Sequence, residues 1–137
     1  MERPTGEQVM REFVPGSPFA KLLGVSIRAL GDGTAELELP FRPELATLAD
    51  TVHGGAIATL ADTAATAAAW CGAEVPENLQ GSTVSLTMQY ARAARGVDLV
   101  ARARVTRRSR RLVFLEVTVS GPDGAMVAHG VATYALG

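Results

Sequence analysis

The chain has 137 residues, of which 47% are hydrophobic; this is enough for one compact domain with a substantial core and too short for two. Its formal net charge of −1 does not favour nucleic acid or an anionic membrane surface as a partner. One cysteine excludes an internal disulfide, and two histidines beside it form no cluster at metal-binding spacing, so we expect no metal. The opening residues MERPTGEQ lack the apolar stretch of a signal peptide, so we expect a cytoplasmic protein.

The first 24 residues predict an N-terminal helical segment. Apolar positions recur at helical spacing over residues 7–14 and 18–23, and Pro15-Gly16 separates the two stretches. We expect two short helices that act as a lid or brace for the rest of the chain.

A β-hairpin follows this segment. The period of the pattern changes to two over residues 25–28, and acids alternate with apolar residues over 35–39. The turn Gly31-Asp32-Gly33 joins the two strands. Residues 40–50 are predicted to form a loop that leads into a helix.

Residues 54–70 predict one long helix. Four polar residues interrupt a run of small and apolar ones: Thr59, Asp62, Thr63 and Thr66. A membrane span is a poor interpretation, because alanine contributes little transfer free energy and a central aspartate costs roughly 3 kcal/mol. We expect a helix buried on most sides, which ends near Cys71-Gly72.

The remainder of the chain favours strands. Valine, threonine and aromatic residues recur over four segments, separated by turns at 95–96, 107–110 and 122–124; the segments are 82–90, 97–107, 111–120 and 125–136. A single antiparallel sheet has one face to bury, and only one long helix is available to cover it. The sequence therefore predicts an α+β domain over residues 1–137, with a sheet curled around a central helix.

One motif resembles a known family. His53-Gly54-Gly55 followed by residues 59–64, TLADTA, is similar to the hot-dog-fold acyl-CoA thioesterases of the 4-hydroxybenzoyl-CoA thioesterase superfamily, in particular the phenylacetate-degradation (PaaI-like) type. The likeness extends to residues 22–25, to the strand at 82–90 and to the Asp123-Gly124 hairpin, and so covers almost the entire chain. It implies a hot-dog core over residues 25–137.

The resemblance also implies an activity and an assembly. It implies hydrolysis of an aryl- or medium-chain acyl-CoA by water, without a cofactor. The family's sites lie between subunits, so the chain is expected to form a homodimer, and pairs of dimers are expected to form tetramers. A non-hydrolytic acyl-thioester binding protein or a hydratase-like enzyme, which would use His53 and Asp62 together on the acyl chain, is the alternative.

Gly54 and Gly55 lie where the long helix begins. A helix N-terminus offers unpaired amides and a partial positive charge to the oxyanion that develops on an attacked thioester carbonyl. Glycine lets that carbonyl approach the backbone closely. Alternatively, the two glycines serve only close packing of helix on sheet.

Asp62 is the candidate catalytic carboxylate, and we expect it to be buried among alanines. It can act as a general base on water or as a nucleophile, and the sequence does not separate the two. A structural aspartate paired with a threonine or the backbone is the alternative.

The spacing within the helix bears on assembly. Asp62 follows Gly55 by seven residues, which separates them by roughly 10 Å along the axis. Both cannot reach one carbonyl. If both act, the aspartate comes from a second subunit with an antiparallel helix, which makes two equivalent sites in a symmetric dimer.

Three further positions carry over from the resemblance. Thr83 matches a serine or threonine that orients the attacking water, although threonine is also common in strands. Thr47 stands where some relatives place an asparagine that binds the thioester oxygen, and its side chain is shorter than that of asparagine. His53 is expected to position the motif rather than to act as the base.

The arginines give a local charge signal. Eight of the thirteen basic residues fall between Arg92 and Arg111, against the single acid Asp98. We expect four of them to bind the phosphates of coenzyme A: Arg107, Arg108, Arg110 and Arg111. A solvated basic hairpin is the alternative, whereas nucleic acid would require more aromatic residues than Tyr90 and Phe114.

The acyl specificity is not readable from the pattern. Trp70, Met88 and Phe19 could line an aryl pocket or fill the core.

Overall fold

The computed structural model describes residues 2–137 and begins with two helices, α1 over Gly6–Gly16 and α2 over Pro18–Leu23. Thr5 caps α1, because its hydroxyl accepts the Gln8 amide while the Gln8 side chain accepts the Thr5 amide. This reciprocal pairing satisfies two amides that a helix start leaves free.

The predicted break at Pro15-Gly16 is wrong by two residues. Helix α1 continues through Pro15, and the chain changes direction at Ser17, whose side chain caps α2 ahead of Pro18. Proline in the last turn removes a single helical hydrogen bond, whereas it is favoured as the first residue of a helix. Pro18 therefore fixes the boundary.

Six antiparallel strands form the main sheet, in the order β1-β2-β6-β7-β8-β5. The strands are β1 Ser26–Gly31, β2 Thr34–Leu39, β5 Gly81–Tyr90, β6 Leu99–Ser109, β7 Leu112–Ser120 and β8 Met126–Leu136. They agree with the predicted strands to within two or three residues at most ends. Strand β5 forms one edge of the sheet, beside β8.

Helix α3, Gly54–Trp70, lies against the concave face of this sheet and contacts β2, β6, β7 and β8. Leu37, Leu60 and Leu99 are fully buried between the two layers. Alanine supplies most of the buried positions of α3, so the sheet can approach and curl around it. The predicted α+β hot-dog arrangement is confirmed.

The N-terminal segment closes one end of α3. Helix α1 buries Met10 and Val14, and a side chain at Gly6 would collide with the Trp70 carbonyl. The chain therefore needs glycine where α1 crosses the end of the long helix.

The segment predicted as a loop over 40–50 contains structure of its own. A 3₁₀ turn at Pro43–Leu45 leads into a small ribbon of β3, Ala46–Leu48, and β4, Thr51–Val52. The Val52 amide donates to the Ala94 carbonyl at 2.9 Å, and the Gly96 amide donates to the Asp50 carbonyl at 2.8 Å. Strands this short are stabilised by contacts with a distant segment, which local pattern does not reveal.

The basic turn is also shorter than predicted. Arg107 and Arg108 belong to β6, and the chain reverses at Arg110 and Arg111. An irregularity in the pairing with β7 between Val105 and Arg107 shifts the alternation of side chains along β6. Arg108 is thereby directed to the helix side of the sheet, opposite Val113.

Within residues 2–137, no helix is long and apolar enough to cross a membrane.

Candidate active site

The start of α3 leaves one backbone amide without a partner. His53 is the N-cap residue, and its Nδ1 accepts a hydrogen bond from the Gly55 amide at 2.7 Å. The Gly54 amide finds no acceptor among residues 2–137. Of the two glycine amides predicted to bind an oxyanion, one is therefore occupied by His53 and the other is free.

The two glycines differ in what a side chain at each position would meet. A Cβ at Gly55 would lie 2.9 Å from His53 Nδ1, so this glycine makes room for the cap. A Cβ at Gly54 would lie 3.5 Å from the nearest Tyr90 ring carbon, which is ordinary contact. Gly54 is therefore not required by a clash, and a small side chain at this position would contact Tyr90.

Tyr90 is a site residue that the sequence reasoning did not select. It ends β5, and its hydroxyl donates to the Gly54 carbonyl at 3.2 Å. Its ring covers one side of the helix start. An aromatic residue at the end of the edge strand was the available signal, but only the pairing of strands places it beside Gly54.

Asp62 and Thr83 are brought together, as the resemblance implied for a carboxylate and a hydroxyl at one site. The Thr83 Oγ1 hydroxyl donates to Asp62 Oδ1 at 2.7 Å, across from α3 to β5. Oδ2 is left for another donor. The Thr83 hydroxyl and the second carboxylate oxygen are the two groups of this pair that could bind a water molecule.

Asp62 is only partly buried, so the expectation of burial among alanines is wrong. It lies on a stripe of α3 that the sheet does not cover, together with Gly55, Ala58, Thr59 and Thr63. The two threonine hydroxyls bond back to helix carbonyls, Thr59 to Gly55 at 2.9 Å and Thr63 to Thr59 at 2.7 Å. Asp62 is therefore the one charged residue on this stripe, and the two threonines there donate their hydroxyl hydrogens within the helix.

One chain does not assemble these groups at a single point. The free Gly54 amide and Asp62 are eight residues apart on α3, or about 12 Å along the axis. Tyr90 accompanies the first and Thr83 the second. The start and the middle of the helix thus carry complementary halves of a site.

Thr47 lies apart from both halves. It is exposed on β3, where the pairing with β4 is irregular, and its hydroxyl makes no hydrogen bond within residues 2–137. The ribbon nevertheless supports the helix start, because the His53 amide donates to the Leu45 carbonyl at 2.7 Å.

The four predicted phosphate-binding arginines have different roles. Arg108 donates from both terminal nitrogens to the carbonyls of Ala69 and Cys71, each at 2.8 Å, so it caps the C-terminus of α3. Arg111 donates to the Gly137 carbonyl at 2.7 Å. The side chains of Arg107 and Arg110 are exposed and make no hydrogen bond within the described chain.

The basic segment is also less positive than its composition indicates. Arg102 pairs with Glu36 at 3.1 Å and Arg104 pairs with Glu116 at 2.6 Å on the outer face of the sheet. Arg110 and Arg111 border a cavity of about 420 Å³ with Arg108, but Glu74 and Glu77 line the same cavity. Arg107 is not part of it.

The single cysteine is not a nucleophile in this fold. Burial, together with the nearby Glu7 carboxylate, raises the pKa of the Cys71 thiol to about 11. The thiol therefore keeps its proton at neutral pH. Residues 2–137 contain no group of three or more histidine, cysteine or acidic side chains placed to hold a metal.

Comparison with known proteins assigns the family. The profile of the thioesterase superfamily matches residues 49–128. A Halobacterium salinarum protein, whose name proposes an esterase activity, is 32% identical over 117 residues, which cover 83% of this chain and 77% of that protein. Human acyl-coenzyme A thioesterase 13 is 27% identical over 133 residues, which cover 95% of this chain and 93% of that one.

A solved structure agrees with the fold. A variant of the phenylacetic acid degradation protein PaaI from Thermus thermophilus superimposes with a TM-score of 0.73 at 28% identity, covering 88% of this chain and 99% of that one. The matched region contains the helix start, Asp62 and Thr83. The chain therefore belongs to the thioesterase superfamily of thioester hydrolases.

Proposed function

We propose that this protein hydrolyses acyl-CoA thioesters with Asp62 as general base. The observation that carries the proposal is the hydrogen bond from Thr83 Oγ1 to Asp62 Oδ1 on the uncovered stripe of α3. A water molecule held by Asp62 Oδ2 and the lone pair of Thr83 Oγ1 gives its proton to the carboxylate and attacks the thioester carbon. The proton then passes from Asp62 to the departing CoA thiolate.

The oxyanion formed in this attack is stabilised by the Gly54 amide. That amide has no partner within the described chain and lies at the positive end of the α3 dipole. His53 holds the helix start through its bond to the Gly55 amide, which agrees with a positioning role. Thr47 is exposed in the neighbouring ribbon and is the candidate for a second donor.

A shared site requires a homodimer. Two antiparallel copies of α3 would bring the Gly54 amide of one subunit to Asp62 of the other and remove the separation of about 12 Å. Strand β5 supports this assembly, since it is a ten-residue edge strand with an unpaired side and Val84 is 59% exposed on it. Pairing of two dimers into a tetramer stays a prediction from the family resemblance.

Direct attack by Asp62 would give a mixed anhydride in place of a base-activated water. We propose the base mechanism, in which Thr83 orients one carboxylate oxygen and the other accepts the proton of the water. Single-turnover hydrolysis in ¹⁸O-labelled water separates the two mechanisms, since only attack through Asp62 places the label in the enzyme.

The substrate is proposed to be an aryl- or medium-chain acyl-CoA of the kind implied by the PaaI-like resemblance. The nucleotide end of CoA is assigned to the exposed Arg107 and Arg110, with Arg111 beside them. Arg108 is excluded from this assignment because both its terminal nitrogens are bonded to helix carbonyls. No cofactor is needed for hydrolysis by water.

A hydratase-like reaction is less well supported. It would use His53 together with Asp62 on the acyl chain, whereas the bond from the Gly55 amide fixes His53 Nδ1 as the cap of α3, which supports a positioning role for this residue.

The deciding experiment is release of free CoA thiol from a panel of saturated C4 to C16 and aryl acyl-CoAs. We expect turnover with aryl or medium-chain substrates, and the Asp62→Asn variant is the matched control for contaminating activity. Tight binding of acyl-CoA with no thiol release above that control would contradict the proposal and favour a binding protein.

A further inference from the structure

A groove lies between the N-terminal helix α1, the C-terminal half of α3 and the start of β5. Its volume is about 450 Å³, within the usual range for small-molecule sites. Side chains from α1, α3, β8 and the segment before β5 line it: Val9, Phe13, Thr66, Trp70, Leu79 and Tyr134. We call it the α1–β5 groove.

The groove ends next to the proposed catalytic pair, although neither Asp62 nor Thr83 lines it. Ser82, which also lines it, precedes Thr83 on β5, and Thr66 follows Asp62 by one turn on α3. Tyr134 lies opposite Thr83 in the β5–β8 pairing. Burial raises the pKa of Tyr134, and the negative charge of Asp62 raises it further, which agrees with a carboxylate near this end of the groove.

The two aromatic side chains of the groove that carry polar atoms are paired with each other. The Trp70 Nε1 donates to the Tyr134 hydroxyl at 2.9 Å, so neither ring presents an unpaired donor to a ligand. No lysine or arginine is among the residues that line the groove in the described chain. A phosphate group therefore finds no cationic partner there, and the polar side chains are limited to those of Thr66, Gln80, Ser82 and the paired Tyr134, whereas the other side chains suit an apolar chain.

From these contacts we infer that the α1–β5 groove holds the acyl group of the substrate and that Phe13 and Leu79 set the chain length it accepts. The inference rests on the proposed function and specifies its substrate class. The thioester lies at Asp62, and the acyl carbons extend along α3 toward Trp70 and α1.

The distance from Asp62 to the far wall of the groove agrees with a medium chain. Asp62 and Trp70 are eight residues apart, about 12 Å along the helix axis. An extended alkyl chain advances about 1.25 Å per carbon, because bonds of about 1.5 Å alternate in direction, so roughly ten carbons cover this distance.

Phe13 and Leu79 lie between this groove and a second one. A cavity of about 560 Å³ on the other side of α1 shares Val9, Phe13 and Leu79 with the α1–β5 groove. Phe13 is 47% exposed and Leu79 is 52% exposed, so both can be shortened without opening a hole in the core. Removing the Phe13 ring would join the two cavities and give a longer chain somewhere to continue.

The test compares chain-length profiles of kcat/KM over C6 to C16 acyl-CoAs. Phe13→Ala should raise the ratio of the C14 to the C8 value at least about tenfold, since each methylene gained in an apolar site contributes on the order of 1 kcal/mol. Phe13→Trp should move the optimum to shorter chains. Phe19→Ala is the matched control, because Phe19 is 55% exposed on α2 and lines neither cavity.

A binding measurement keeps this inference separate from the proposed function. Trp70 is the only tryptophan of the chain, so its fluorescence reports occupancy of the groove in the Asp62→Asn variant without any turnover. The probes are S-alkyl thioethers of CoA with chains of C6 to C16, which cannot be hydrolysed, and the comparison is between parental Phe13 and Phe13→Ala because Phe13→Trp adds a second tryptophan. A change in Trp70 emission whose optimum moves to longer chains in Phe13→Ala would support the groove even if no thiol is released from the acyl-CoA panel. Unchanged profiles in both Phe13 variants, with no response of Trp70 to the thioethers, would overturn the inference while leaving hydrolysis in place.

Discussion

The two ends of α3 differ in how their terminal backbone groups are hydrogen-bonded. At the C-terminus, Arg108 donates to the carbonyls of Ala69 and Cys71, and the Gly33 amide donates to the Cys71 carbonyl at 2.9 Å. At the N-terminus, the Gly54 amide has no acceptor within residues 2–137. We call the C-terminus of α3 the closed end, because other parts of the fold bond to its carbonyls. We call the N-terminus the open end, because its Gly54 amide is free.

This difference gives the two ends of the helix separate roles: the C-terminus anchors α3 in the fold, and the N-terminus belongs to the candidate active site. Every helix leaves amides and carbonyls that its own turns do not satisfy. Here the carbonyls are satisfied by the β1–β2 turn and by β6, which fixes the direction of α3 against the sheet. The free amide remains at the end where the dipole favours negative charge. The helix is thus anchored at one end and available for chemistry at the other.

The largest expected effect comes from removing the carboxylate in the middle of α3. Asp62→Ala should lower kcat at least about 10³-fold, because the water loses the base that accepts its proton. Thiol release under saturating substrate measures this loss.

Asp62→Asn is the matched control for shape. It keeps an oxygen that can accept the Thr83 hydrogen bond but cannot take a proton, so it should fold as the parent does and be nearly inactive. Near-normal turnover in either folded variant would show that hydrolysis does not need the Asp62 carboxylate, and the assignment of Asp62 as the general base would be wrong.

The next prediction tests whether the open end of one helix meets the middle of another. Two inactive variants are mixed under conditions of subunit exchange: Asp62→Ala, and Gly54→Val, whose branched side chain fills the space above the free amide beside Tyr90. A mixed dimer then holds one site with both lesions and one with neither. Half the dimers are mixed, so about a quarter of parental activity should return if the sites are independent.

Gly54→Ala is the control for the helix start, because its methyl group meets Tyr90 at ordinary contact distance and should leave the fold intact. Exchange is verified by native mass spectrometry. Complete exchange without recovered activity would place Gly54 and Asp62 in one subunit's site, against the separation of about 12 Å along a single α3.

The comparison of helix ends also explains what the sequence could predict. The strand and helix order was readable because each element has a clear period, and the likeness around residues 53–64 located Asp62 and the glycines. The partners were not readable. Thr83 is 21 residues from Asp62 and Tyr90 is 36 residues from Gly54, and only strand pairing brings each to its place.

Arg108 shows the limit most clearly. The local density of arginines predicted that Arg107 and Arg108 both bind phosphate. The irregularity in β6 instead directs Arg108 to the helix side of the sheet. A one-residue shift in alternation reverses the face on which a side chain lies. The exposure of Asp62 was missed for a related reason, because a run of alanines does not reveal which face of the helix the sheet leaves uncovered.

The smallest expected effect concerns the basic residues near the closed end of α3. Replacing Arg107 and Arg110 together with serine should raise KM for acyl-CoA about three- to tenfold, because exposed charge contacts with phosphate contribute up to about 1 kcal/mol each. The salt dependence of kcat/KM should weaken at the same time, while kcat changes little. A pantetheine thioester lacks the nucleotide and should show no effect of the double variant.

Arg108→Met is the matched comparison, since it removes a neighbouring positive charge that serves the helix instead of the substrate. Loss of two hydrogen bonds to the carbonyls of Ala69 and Cys71 should lower the free energy of unfolding by about 1–3 kcal/mol and the Tm by several degrees. KM for acyl-CoA should stay at the parental value in the folded enzyme. If Arg108→Met instead raises KM as much as the double variant and leaves the Tm unchanged, Arg108 binds the nucleotide, and the carbonyl end of α3 is not the closed scaffold described here.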